Sequence, residues 1–190
     1  MRALVFIAFS GIFNMLLAQD QAETAKQPAT KIEAFNARTG LVLIKGITNI
    51  GTVNGMGSVS IDAREFREAS NPKVAQYGVA FIVKESGRLE RESLSYIDED
   101  ELDALQRGLK YISKIDHQAT AFKDFEAIYK TKGDFSLAVF SDSRGGTSLA
   151  VTSGRIGRAT AYLKLSDALQ IMNMVEQAKE MIASAKLSTK

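Results

Sequence analysis

Between Tyr77 and Val83 every second side chain is large: Tyr77, Val79, Phe81 and Val83 fall on one face, with Gly78, Ala80 and Ile82 between them. A period of two, rich in β-branched and aromatic residues, marks a strand. Comparable runs lie at about 34–50, 53–66 and 88–97, and the run around Tyr77 covers about 74–84. Gly51, Asn54-Gly55, Asn71-Pro72 and Ser86-Gly87 punctuate them as turns and loops. Short strands joined by tight turns pair mostly antiparallel, with one face buried and the other wet.

At Asp98 the period changes. Leu102, Leu105, Leu109 and Ile112 are three and four apart, one face of a helix. Asp98 is placed to cap this helix, and Glu101 to reach back in a capping box. The acidic first turn, with Lys110 and Lys114 in the last, suits the helix dipole. A second pass follows. Phe125, Ala127 and Tyr129 alternate, as do Phe135, Leu137 and Val139, then Leu149 and Val151, then Ala159, Ala161 and Leu163. Turns fall at Lys132-Gly133, at Ser143-Arg144-Gly145-Gly146 and at Ser153-Gly154-Arg155. Ser166 is placed to cap a closing helix whose apolar side includes Leu169, Met172, Val175, Ala178 and Ile182.

The predicted fold class is therefore α+β: two ββββα units, mostly antiparallel sheets each followed by a helix, at 32–116 and 117–190 within one globular body. Ser95-Tyr96-Ile97 and Ala161-Tyr162-Leu163 hold matching places before the two helices, which suggests an internal duplication. Either each helix covers its own sheet or the two units share one core. Leu105, Leu109, Phe81, Val83, Leu137, Val139, Met172 and Val175 are expected inside. In element order, over roughly residues 34–186, such tandem ββββα units resemble the Whirly and Pur-type single-strand-binding fold. The resemblance implies a way of packing; it does not imply an activity.

The N-terminal residues bear on the compartment. Met1-Arg2 gives a positive tip, Ala3 to Ala18 carries no charge, and Gln19 onward is polar. This is the signal-peptide pattern, with cleavage expected after Ala18 and an exported product, periplasmic or extracellular. The apolar run is shorter than the roughly 20 residues of a spanning helix, so no stable membrane insertion is expected after cleavage. Residues 19–31 are polar, contain Pro28 and lack periodicity, and read as a flexible leader. The chain has no Cys, so disulfides and thiolate metal sites are excluded, and the core alone must hold the fold.

Candidate chemistry is sparse. His117 is the only histidine, and no G-x-S-x-G elbow accompanies it. A single His also cannot build a His-rich zinc site. The run Asp98–Asp103 lacks the spacing of a calcium loop. Gly145-Gly146 and Gly154-x-x-Gly157 join strand to strand and read as hairpin turns, not phosphate loops. Glu90 and Glu92 share a strand face, the kind of pair that an enzyme built on carboxylates would use. No catalytic residue, cofactor or metal is assigned. One constellation remains. Successive turns of a meander alternate between its ends, so the 131–133 and 153–157 turns should share an end and bring Lys130, Lys132, Arg155 and Arg158 together, with Arg144 at the opposite end. Such a cluster suits phosphate, sulfate or carboxylate groups, with Tyr129 and Tyr162 available for stacking. The formal net charge of +2 is too small for a dedicated nucleic-acid field. The functional expectation is an exported, non-catalytic binding or assembly module with an unknown protein or polyanionic partner. The alternative is polyanion or single-stranded nucleic-acid binding through the basic turns. Free sheet edges leave room for oligomerisation.

Overall fold

The alternation around Tyr77 belongs to the third strand of the chain. The computed structural model, which describes residues 27–88, 90–141 and 145–188, begins with α1 (Lys31–Asn36), β1 (Leu43–Gly55), β2 (Gly57–Glu68), β3 (Ala75–Glu85), β4 (Arg91–Asp98) and α2 (Leu102–Ile112). It continues with β5 (Glu126–Lys130), β6 (Ser136–Ser141), β7 (Thr147–Ser153), β8 (Ala159–Lys164) and α3 (Asp167–Ser188). The strands form two four-stranded antiparallel sheets, each in sequence order. The class is α+β. The expected signal peptide lies outside the described residues, as do residues 19–26 of the expected leader. Among the described residues no helix is long and apolar enough to cross a membrane.

The two sheets and both long helices share a single core. Ile61, Phe81 and Val83 from the first sheet and Leu137, Val139 and Val151 from the second join Leu105, Leu109 and Val175 in one buried cluster. The helices do not keep to their own sheets. α3 follows the second sheet yet lies over β1, β2 and β3 of the first. There Met174 packs so closely on Gly51 that a Cβ would sit 2.9 Å from its methyl carbon. α2 follows the first sheet, and its backbone at Gly108 abuts the Tyr129 ring of β5. The helices meet each other through the Lys179–Asp103 ion pair at 2.7 Å and a Gln106–Glu176 hydrogen bond. Met172, expected inside, is only half-buried, and Leu169, read on the apolar side of the closing helix, is exposed. The helix presents Ile171 and Met174 instead, one register step away.

Three local expectations are corrected. The run 34–50 is not one strand: residues up to Asn36 close α1, and β1 starts at Leu43. Gly51 is no turn but pairs with Ile61 inside β1, just past a register shift between Asn49 and Gly51, and the hairpin bends at Met56. Asp98 does not cap the helix that follows it. A turn of 3-10 helix at Glu99–Glu101 intervenes, and Asp98 makes no side-chain cap there. Its carboxylate instead accepts from the Lys31 and Ile32 amides at 2.7 and 3.1 Å, at the start of α1. The capping box belongs to Thr30 and Glu33. The first described helix therefore starts at the last residue of the expected leader, with Ile32 and Phe35 packed on Phe66 on the other face of the first sheet. Before α3, the Asp167 carboxylate accepts from the Lys164 amide at 3.0 Å.

Asp98 is buried and holds two amides that would otherwise lack partners. Replacing it by alanine is expected to cost about 2–3 kcal/mol, since an orphaned buried donor bears its full desolvation penalty with no bond to offset it. Amide exchange should rise first in residues 31–36; unchanged protection there would contradict the assignment.

Candidate basic site at the turn end of the second sheet

Among the described residues the second sheet is covered on one face only. Leu137, Val151 and Ala161 pair across β6, β7 and β8 toward the core. On the other face the cross-strand row Ile128, Ala138, Ala150 and Tyr162 is flanked by the row Lys130, Ser136, Thr152 and Thr160. The small side chains in the middle leave a trough of about 500 Å³ between Ile128 and Tyr162, which are 50% and 47% exposed. The Thr152 and Thr160 hydroxyls lie 3.0 Å apart on its floor. The Phe140 and Tyr162 rings meet edge to face at 6.4 Å.

At one end the trough opens into a depression of about 240 Å³ between the β5–β6 and β7–β8 turns. The expected juxtaposition of these turns is found there. Lys130, Arg155 and Arg158 line this depression, and Lys130 and Arg158 also line the trough. Among the described residues none of these cations forms an ion pair. Asp134 also lines the depression, on a left-handed backbone (φ 60°) that aspartate tolerates better than most residues. The β7–β8 turn hangs from the first sheet. Ser95 Oγ accepts from the Gly154 amide at 3.1 Å and lies 2.8 Å from the Ser153 hydroxyl, both serines being buried. Satisfied buried hydroxyls of this kind fix the turn to the core.

Lys132 does not line the depression. Its amide is donated to Glu101 Oε1 at 3.3 Å, because the β5–β6 turn folds back over the start of α2. Asp100 lies within its field: the hydrogen bond from Lys31 chiefly holds the Asp100 carboxyl below its ordinary range, and the charge of Lys132 adds to this. Tyr129 faces α2, and burial pushes its hydroxyl up, so of the two tyrosines only Tyr162 reaches the trough. Arg144 lies outside the described residues. His117 donates through Nε2 to the Gly145 carbonyl at 2.9 Å and meets Phe125 edge-on. Glu92 pairs with Lys84 at 3.0 Å, and Glu90 lines a surface groove of about 500 Å³ beside it. Among the described residues no group of His, Asp and Glu side chains is arranged to hold a metal.

Neither alternation nor turn chemistry singles out Ile156. It stands between Arg155 and Arg158 at the turn's tip and is 91% exposed. Its signal was present in the run Gly154-Arg155-Ile156-Gly157-Arg158, where a β-branched residue occupies a turn otherwise built of glycine and arginine. No family model and no curated protein matches the chain.

Proposed function

We propose that the protein is an exported, non-catalytic binding module that takes an anionic ligand at the turn end of its second sheet. The observation that carries this reading is the convergence of Lys130, Arg155 and Arg158 on one depression, where Asp134 is the single carboxylate among the described lining residues. Guanidinium groups suit phosphate, sulfate and carboxylate through paired N–H donors. Export is supported by the basic tip and uncharged run at Met1–Ala18. The two halves are read as diverged ββββα copies. Each places a tyrosine, Tyr96 or Tyr162, on the last strand of its sheet, facing away from the shared core.

A second reading, an extended polyanion such as single-stranded nucleic acid, is favoured by the continuity of depression and trough. Charged groups would sit at the arginines while planar groups stack on Tyr162 and Phe140. Thermal shift against inorganic phosphate, sulfate, a sulfated glycan and an oligonucleotide tests both readings. A ligand of the folded state stabilises it by about 2.7 kcal/mol at roughly a hundredfold excess over Kd. The shift should vanish in Arg155→Ala/Arg158→Ala and weaken with salt. A response to the polymers alone selects the extended ligand. Shifts indifferent to both the substitutions and salt would overturn the site.

A further inference from the structure

The β7–β8 turn carries a side chain for which the interior has no use. Ile156 is the most exposed of the large apolar residues described, at 91%. It is not on a loose loop. The Gly154 amide is tied to Ser95, and φ values of +87° and +67° at Gly154 and Gly157 set the bend that turns the tip outward. Arg155 and Arg158 bracket it, and Lys130 stands across the depression. A small soluble anion would engage these cations and leave Ile156 in water. An anionic lipid surface would engage both, with headgroup phosphates at the level of the cations and hydrocarbon just beneath for the aliphatic tip.

We propose that the 154–158 turn docks the protein on anionic lipid surfaces, with Arg155, Arg158 and Lys130 on headgroup phosphates and Ile156 entering the acyl boundary. This rests on the anion-binding reading of the same site and names the source of the anion. One aliphatic side chain and a few cations make a shallow, reversible contact.

Because the chain has no Cys, Ile156→Cys in the full chain carries a polarity-sensitive fluorophore that reports this position alone, whatever other segments do. Tyr111→Cys, on the exposed face of α2, is the reference. The probe at 156 should shift to the blue and be quenched by lipid-borne quenchers on vesicles mixing phosphatidylcholine with phosphatidylglycerol. It should do neither on phosphatidylcholine alone, and the probe at 111 should stay in water throughout. Adding Arg155→Ala/Arg158→Ala should weaken insertion roughly 10- to 30-fold, as should high salt. A probe at 156 that stays in water on mixed vesicles, or enters both vesicle types equally, overturns the proposal. Inorganic phosphate then separates the two levels. If it still binds the unlabelled chain in an arginine-dependent way, the anion site stands without the lipid; if it does not, both fall.

Discussion

Gly57→Ala is expected to lower stability by about 3 kcal/mol, because a left-handed backbone residue and a backbone clash fail together. Gly57 has φ +95°, and a Cβ there would overlap the Lys84 carbonyl oxygen and stand 3.0 Å from the Ala161 Cβ. The tip it shapes matters beyond the hairpin. Met56 and Tyr162 exchange backbone hydrogen bonds at 2.9 Å, so the β1–β2 turn closes the free edge of β8 and ties the first sheet to the second. The substitution pushes the tip away from both neighbours. Gly87→Ala is the natural contrast, with no heavy atom within 4 Å of its would-be Cβ, and should fall within about 0.5 kcal/mol of the parent. Chemical denaturation checks the pair; equal midpoints would mean that the tip does not bear on the inter-sheet joint.

Phe81→Ala should cost about 3–5 kcal/mol. Phe81 is fully buried, and its ring lies 4.1 Å, centroid to centroid, from that of Phe135, which enters β6 of the other sheet. Phe135→Ala should cost a similar amount, and the double mutant should fall short of the sum by about 0.5–1.5 kcal/mol, the worth of an aromatic pair beyond its area. Since each long helix packs beyond its own sheet, a loss on one side should be felt on the other. Amide exchange in β6 and β7 should rise in Phe81→Ala along with that in β3. Protection lost in the first sheet alone would mean two cores rather than one.

What was legible in the sequence was local. The alternation at Phe135, Leu137 and Val139 and the three-four spacing from Leu102 to Ile112 each report a periodicity that neighbouring residues impose. What was hidden was set by partners far along the chain. Asp98 followed by Glu101 satisfies the local rule for a cap, yet the amides it serves belong to Lys31 and Ile32, the latter 66 residues away. Lys132 sits in the expected turn, but its amide is claimed by Glu101 from another element. Leu169 has the spacing of a buried residue, yet α3 turns Ala168 and Ile171 inward and leaves it exposed. The juxtaposition of the 131–133 and 153–157 turns was legible because meander topology alone determines it. The exposure of Ile156 was not, because an isolated aliphatic in a turn is ordinary until the structure shows what surrounds it.

The most direct measurement of the basic site is a titration with inorganic phosphate, followed by amide chemical shifts across the whole chain. The account predicts that the largest movements fall in residues 130–136 and 153–158, that they saturate together with one affinity, and that they disappear in Arg155→Ala/Arg158→Ala. The same two segments remaining still, while amides near Arg107 and Lys110 in the groove between α2 and α3 respond, would contradict it.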